Sequence, residues 1–233
     1  MDEKTLNNYI KNIGISRDQI LREETEMEIL SELATTKLSA KLIFYGGTAI
    51  RLAYNSPRFS EDIDLLIIKK TSFLEFKNFI LILIKKHANW ILKDIKDKHQ
   101  TMFALININD NKLKHYFSVK IEVHKPAKKI KIETELSLIK SPLSIGEPLL
   151  LTPTLIELKK MKEVALLGRK KSRDIFDLWY IAQTLRENFL LPKKLPKYTE
   201  REFKNELQVF LPKRYYPIIN QLYERIKKTN KKN

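Results

Sequence analysis

The sequence predicts an α+β fold, and three observations carry that prediction. Short β-branched runs between residues 42 and 124 alternate apolar and polar side chains, a two-residue period that is typical of strands. Apolar residues at helical spacing lie before, between and after these runs. From about residue 152 the pattern is helical throughout. We therefore predict a mixed sheet flanked by helices over residues 1–150, followed by a helical domain over residues 151–233.

The elements of the first part are predicted from capping residues and apolar periodicity. Ser16, with Gln19 three residues later, predicts the start of a helix whose apolar residues recur as far as Leu38. Ser72 and Glu75 predict a second capping box of the same kind. The apolar pattern predicts the other elements: a strand over 42–45, a short helix over 48–54, a strand over 63–68, a helix over 72–90, and strands over 91–95, 102–108 and 116–124.

The second part is predicted to be helical after a basic connecting segment. Residues 125–148 are rich in lysine and proline, which indicates an edge strand or a connecting arm. Thr152 suits a helix N-cap and Pro153 the first helical position, so a helix is expected from there to Gly168. Three more helices are predicted, over 172–187, 200–210 and 215–228.

Charge is distributed unevenly along the chain. The whole sequence has 44 Lys and Arg against 28 Asp and Glu, a formal net charge of +16. Residues 65–233 alone carry 36 basic and 17 acidic residues, a net charge of +19. Such an excess favours binding to polyanions such as RNA. A lysine-rich solvated surface explains it equally well, so charge alone leaves both interpretations open.

Composition excludes several classes of site. The chain has no cysteine, which rules out a disulfide scaffold, a cysteine-ligated zinc site, an iron–sulfur cluster and a thiol nucleophile. The longest apolar run, residues 79–84, is far shorter than the roughly 20 residues that cross a membrane. The first residues lack the pattern of a secretory signal, so a cytoplasmic protein without a membrane segment is expected. The four histidines have no metal-ligand spacing and are interpreted as structural: His87, His99, His115 and His124.

The most specific stretch combines a glycine turn with paired carboxylates. Gly46-Gly47 follows a predicted strand, and glycines let backbone N–H groups approach phosphates without a Cβ clash. In the next predicted strand Asp62 and Asp64 project to one face, because side chains alternate along a strand. Two adjacent carboxylates repel each other unless a cation such as Mg²⁺ neutralises them. The combination predicts a site for a metal-bound nucleotide.

A third carboxylate is available on a later strand. Residues 118–124 alternate, so that Glu122 shares a face with Lys120 and His124. If this strand lies beside the one that carries Asp62 and Asp64, the three acids can hold two metal ions. An exposed glutamate paired with a lysine is the alternative.

These residues resemble the AbiEii/AbiGii-type nucleotidyltransferases, the toxins of type IV toxin–antitoxin pairs, within the polymerase-β-like nucleotidyltransferase superfamily. The resemblance covers roughly residues 40–180. Its first motif is Gly46-Gly47-Thr48-Ala49 followed by Arg58, Ser60, Asp62 and Asp64. Its later blocks are Lys120-Ile121-Glu122-Val123, then Lys162, Arg169, and Arg173-Asp174-Ile175-Phe176-Asp177-Leu178.

The resemblance implies a polymerase-β-like domain whose active site is completed by the helical part. It implies transfer of a nucleoside monophosphate from an NTP to a hydroxyl, with Mg²⁺ or Mn²⁺ as cofactor, the tRNA 3′ end as acceptor and a cognate antitoxin as partner. Asp62, Asp64 and Glu122 would hold the metals, and Lys162 would contact phosphates. Asp174 and Asp177 would orient Lys162 or the acceptor hydroxyl. The remaining residues implied in nucleotide binding are Gly46, Gly47, Thr48, Arg58, Ser60 and Arg173.

Alternatives remain open at this stage. The same site can modify a Ser, Thr or Tyr hydroxyl of a protein, or the chain can be a non-catalytic nucleic-acid-binding module. Lys162 can be a surface lysine, and Arg173, Asp174 and Asp177 can form ion pairs within one helix. Basic clusters beside tyrosines suit either RNA contact or a solvated surface: Lys193-Lys194, Lys197-Tyr198, Lys213-Arg214-Tyr215-Tyr216, Lys227-Lys228 and Lys231-Lys232.

Overall fold

A computed structural model of the chain describes residues 1–128, 131–192 and 195–230. Its mixture of helices and a sheet confirms the predicted α+β class. The α-helices of the described residues are α1 (Glu3–Ile13), α2 (Arg17–Ala34), α3 (Gly46–Leu52), α4 (Phe73–Lys86), α5 (Leu155–Gly168), α6 (Ser172–Thr184), α7 (Glu200–Phe210) and α8 (Tyr216–Asn230). The strands are β1 (Leu42–Tyr45), β2 (Asp62–Ile67), β3 (Trp90–Asp97), β4 (Thr101–Ile108), β5 (Phe117–His124), β6 (Thr134–Leu138) and β7 (Leu149–Pro153).

Five strands form one mixed sheet in the order β1-β2-β5-β4-β3. β2 and β5 pair in parallel, whereas every other pair in the sheet is antiparallel. The strands predicted over 102–108 and 116–124 are confirmed as β4 and β5, which pair antiparallel as a hairpin. The parallel pair places the strand of Glu122 directly beside the strand of Asp62 and Asp64, as the site prediction required.

The sheet has one buried face and one polar face. Ile63 and Leu65 of β2 and Ile121 and Val123 of β5 are at most 1% exposed, and α2 and α4 pack on that side of the sheet. Burying each such side chain contributes roughly 1.5–3 kcal/mol. Because side chains alternate, the same burial turns the polar residues of both strands to the opposite face.

The C-terminal helices have a core of their own and dock against the sheet part. Phe176 of α6, Phe203 of α7 and Leu222 of α8 lie at the centre of that core. A small cluster that includes Ile50 of α3 and Ile181 of α6 joins the two parts. The helical part therefore sits against the polar face at the level of α3.

Several elements differ from the prediction. The predicted glycine turn is the start of α3, whose first two residues are Gly46 and Gly47. Thr152 and Pro153 do not start a helix: they end β7, where Thr152 pairs with Glu135 of β6, and Thr154 caps α5 instead. The helix capped by Ser72 and Glu75 is confirmed, but it ends at Lys86. Helix α1 was not predicted; Asp2 caps it.

The basic connecting segment contains strand β6, and residues 129 and 130 of that segment lie outside the described residues. The proposed domain boundary near residue 150 falls within β7 and stays a prediction. Of the described helices, none combines the length and the apolar character that crossing a bilayer requires.

Candidate active site

The polar face of β2 and β5 brings the predicted carboxylates together. Parallel pairing places Asp62 opposite Lys120 and Asp64 opposite Glu122, so all four side chains project from one face. One ligand atom from each of Asp64, Glu122 and His124 lies within 4.8 Å of the other two. Burial raises the pKa of the Asp64 carboxyl, and the charge of Asp62 raises it further.

Lys120 lies between two of these acids. Its Nζ is 2.9 Å from Glu122 Oε2 and 3.3 Å from Asp62 Oδ2. Burial alone would lower the pKa of Lys120, but the hydrogen bond to Glu122 and the charge of Asp62 raise it overall. The alternative interpretation of Glu122 was a glutamate paired with a lysine. That ion pair is present, and so is the convergence of the acids on one face.

The two glycines of the turn are required by close packing. Gly46 has a φ of 84°, which favours glycine, and a Cβ there would lie 2.3 Å from Asp64 Oδ2. A Cβ on Gly47 would lie 2.4 Å from Arg58 Nη2 and 2.9 Å from Ser60 Oγ. The bend therefore faces the carboxylates, and its missing side chains leave the space that Asp64 and Arg58 occupy.

Two residues that the resemblance implies in nucleotide binding direct their polar groups to other protein groups. The Thr48 side chain is fully buried, and its hydroxyl donates to the carbonyl of Asp62. The Arg58 guanidinium donates through Nε and Nη2 to Asp177, at 2.6 and 2.8 Å, and through Nη1 to the carbonyl of Phe59. Thr48 thus supports the start of β2, and Arg58 joins the loop before β2 to helix α6.

Lys162 belongs to a buried ion network in the cavity wall. Its Nζ is 3.0 Å from Asp174 Oδ1 and 2.7 Å from Asp177 Oδ2, and Asp174 also accepts two hydrogen bonds from Arg169. Burial would raise the pKa of both carboxyls. Arg169 and Lys162 instead lower that of Asp174 to about 2, and Arg58 and Lys162 lower that of Asp177.

The network has a net positive charge. It contains three cations, Arg58, Lys162 and Arg169, against two anions, Asp174 and Asp177. The alternative of ion pairs confined to one helix is wrong for both aspartates, since their partners lie on α5, on the residue after it and in the loop before β2. Of the two orienting roles considered for Asp174 and Asp177, the contacts favour holding the lysine.

The predicted residues surround one cavity of about 310 Å³. Its acidic floor lies on β2 and β5, the glycine bend and Ser60 line one side, and α5 and α6 contribute a largely basic wall with Lys162, Arg169 and Arg173. Arg173 also lies near Glu61 and Glu206 and covers the ring of Phe210. Thr48 and Asp177 do not line this cavity.

Two lining residues were missed by the sequence analysis. His124 was interpreted as structural, but it lines the cavity, and its Nε2 is 3.9 Å from Asp64 Oδ1. Tyr45 also lines the cavity, and its ring meets the His124 ring edge to face at 5.8 Å. The alternation of residues 118–124 already placed His124 on the face of Glu122, and that signal could have identified it.

The comparisons with known proteins agree with this geometry. A model of the family described as nucleotidyl transferase AbiEii toxin of type IV toxin–antitoxin systems matches residues 28–229. The chain belongs to this family. It is accordingly a nucleotidyltransferase of the AbiEii toxin type. Comparison with curated proteins finds no match.

Solved structures share the fold of this AbiEii family member. JHP933 from Helicobacter pylori is 20% identical, with a TM-score of 0.57 and coverage of 94% of this chain and 96% of its own. A second H. pylori structure, described as a putative nucleotidyltransferase, is 20% identical with a TM-score of 0.51, covering 100% and 99%. The nucleotidyltransferase toxin MenT4 from Mycobacterium tuberculosis H37Rv is 16% identical with a TM-score of 0.57, covering 78% of this chain and 65% of its own.

The donor set fits a divalent cation. Nucleotidyltransferases generally use an NTP and a divalent metal ion, and hard cations prefer carboxylate oxygens. Here Asp64 and Glu122 lie side by side with Asp62 one residue pair away, and the pKa of Asp64 is raised first by burial and then by repulsion from Asp62. A cation at this position removes that repulsion. Asp64 and Glu122 would hold it, with His124 within reach. Asp62, predicted as a further ligand, lies outside that group and pairs with Lys120.

Proposed function

We propose that this enzyme transfers a nucleoside monophosphate from an NTP to the 3′ end of tRNA in a Mg²⁺-dependent reaction, and that this activity makes it the toxin of a type IV pair with an antitoxin partner. The observation that carries the proposal is the single cavity in which three carboxylates face a glycine bend and a basic wall. RNA is the favoured acceptor because of the +19 net charge of residues 65–233.

In the proposed reaction the acceptor hydroxyl oxygen forms a bond to the α-phosphorus of the NTP and loses its proton to solvent. The bond from that phosphorus to the bridging oxygen breaks, releasing pyrophosphate. The bound cation would neutralise triphosphate charge and lower the pKa of the attacking hydroxyl. The residues of the chain act by positioning and by charge stabilisation.

Each side of the cavity has a part in that arrangement. Asp62, Asp64 and Glu122 form the negative floor that would hold the cation, since carboxylates by themselves repel a phosphate. Gly46, Gly47 and Ser60 line the cavity beside the floor, where the triphosphate would lie. Lys162, Arg169 and Arg173 place positive charge along the opposite wall, and Asp174 and Asp177 fix the position of the Lys162 ammonium.

Incubation of the protein with α-labelled NTPs, Mg²⁺ and total tRNA tests the proposal. We expect labelled RNA, no label after chelation of divalent cations, and a loss of at least about 100-fold in Asp64→Asn. Asp94→Asn makes the same chemical change at a half-buried residue of edge strand β3 that pairs with Lys96, and it serves as the matched control. Undiminished labelling by Asp64→Asn would remove the carboxylates from the mechanism. Label that resists ribonuclease and migrates with protein would assign the acceptor to a protein hydroxyl.

A further inference from the structure

A second concave surface lies at the carboxyl ends of β2 and β5. We call it the lysine groove; its volume is about 660 Å³. Lys69 and Lys70 follow β2, while Lys125 and Lys128 follow β5, and Ile43 and Leu66 contribute to an apolar floor. Nothing in the sequence analysis assigned a role to these residues.

The lysine groove lies on the same sheet face as the active site. Ile43 pairs with Leu66, and Leu66 in turn pairs with His124. Leu66 follows Asp64 by two residues, so the groove floor begins roughly 7 Å further along β2 on the same face. His124 lines the active-site cavity and the next residue, Lys125, lines the groove. The two surfaces are therefore neighbours along the strands.

The charge of the groove is of one sign. Among the described residues no carboxylate lines it, and Lys69, Lys70 and Lys128 form no ion pair with any of those residues. Lys125 contacts Asp97 and the carbonyl of Lys98. Exposed ammonium groups beside an apolar floor suit a phosphodiester chain, whose phosphates pair with the lysines while sugars and bases cover aliphatic surface.

We propose that the lysine groove binds the single-stranded backbone of the acceptor RNA next to its 3′ terminus. This rests on the proposed function, because an acceptor hydroxyl at the carboxylates must be followed by a chain that leaves the cavity. The groove begins beside the carboxylates on the same face and has charge complementary to that chain. We therefore assign the groove to the RNA strand that continues from the reacting 3′ hydroxyl, and not to a partner whose reacting group is outside the cavity.

Binding is tested with a triple variant, Lys69→Gln/Lys70→Gln/Lys128→Gln. Its matched control is Lys4→Gln/Lys11→Gln/Lys77→Gln, which removes three exposed lysines of α1 and α4 that form no described ion pair. The probe is a labelled single-stranded RNA of about eight nucleotides with a free 3′ hydroxyl, and its affinity is measured by fluorescence anisotropy over a salt series without NTP.

We expect the groove variant to bind at least about 10-fold more weakly than the wild type, with the slope of log affinity against log salt reduced by about 2. The control variant should stay within about 2-fold. Equal weakening of both variants, or of neither, would overturn the proposal.

The failure of this proposal can be distinguished from the failure of the proposed function. Wild-type enzyme that labels RNA while the groove variant binds like the control refutes the groove alone. Wild-type enzyme that binds RNA through the groove but labels none refutes the transfer reaction.

Discussion

Gly47 has no room for a side chain, and this makes it a sensitive position of the glycine bend. A Cβ would lie 2.4 Å from Arg58 Nη2 and 2.9 Å from Ser60 Oγ, and Arg58 is held by Asp177 and cannot retreat without breaking that pair. We expect Gly47→Ala to lower the free energy of unfolding by about 1–3 kcal/mol and to reduce transfer activity more than the stability loss explains.

Gly168 supplies the matched control for this change. A Cβ at that position meets nothing within 4 Å, so Gly168→Ala should be neutral or slightly stabilising. Urea unfolding of both variants measures the difference. Equal stability of the two alanine variants would show that Gly47 is not closely packed.

Asp174 should make stability depend on pH in a defined direction. Its pKa is lowered from 3.8 to about 2 by Arg169 and Lys162. A carboxyl whose pKa is lower in the folded state than in the unfolded state stabilises the fold at pH values above its ordinary pKa. This stabilisation is lost as the pH falls through the folded-state pKa. We expect Asp174→Asn to cost about 2 kcal/mol near pH 7, and this difference from wild type should shrink between about pH 4 and pH 2.

Urea unfolding across that pH range is the measurement. Glu163→Gln, a change on the exposed part of α5 with no described ion pair, serves as the control. A difference between Asp174→Asn and wild type that stays constant down to pH 2 would show that the carboxylate is not stabilised by its cationic partners.

Between elements, the pair of Arg58 and Asp177 is the strongest link. It joins the loop before β2 to helix α6, and both side chains are at most 2% exposed. Removing one partner of a buried pair leaves the other uncompensated. We expect Arg58→Met and Asp177→Asn each to cost about 3 kcal/mol, and the double variant to cost less than their sum by about 2 kcal/mol.

A double-mutant cycle from equilibrium unfolding measures this coupling energy. Lys162 also contacts Asp177 and remains in every variant, so it does not contribute to the difference. Strict additivity would contradict the direct pairing of Arg58 with Asp177.

Local pattern predicted the acidic floor well, because a two-residue period fixes which side chains share a face. That period, together with the pairing of β2 with β5, is enough to place three acids on one face: Asp62, Asp64 and Glu122. The role of Arg58 could not be predicted this way, since its partner is 119 residues away in the sequence. The helix start predicted at Thr152 and Pro153 was wrong for a related reason. Residues that suit a helix start also suit a strand end, and here the pairing with β6 makes them part of a strand.

Taken as a whole, the molecule should unfold as one unit although it has two main cores. Three contacts connect the two cores: the Arg58–Asp177 ion pair, the hydrogen bond from the Phe59 N–H to the Phe210 carbonyl, and the shared apolar cluster around Ile50. The chain has two tryptophans, and each core has one: Trp90 lies in the sheet core, and Trp179 packs on the helical core.

Single-tryptophan variants test this cooperativity. Trp179→Phe leaves a reporter in the sheet core, and Trp90→Phe leaves one in the helical core. In each variant we expect the fluorescence and circular-dichroism transitions in urea to have the same midpoint. A fluorescence midpoint that clearly differs from the circular-dichroism midpoint in either variant would show that the two cores unfold separately.

The most direct test of the proposed transfer is the intact mass of tRNA after incubation with enzyme, Mg²⁺ and each NTP separately. The arrangement of Asp62, Asp64 and Glu122 opposite the glycine bend predicts a gain of one or more nucleoside monophosphates with at least one NTP, and no gain with Asp64→Asn. An unchanged tRNA mass with all four NTPs, or an equal gain with Asp64→Asn, would contradict it.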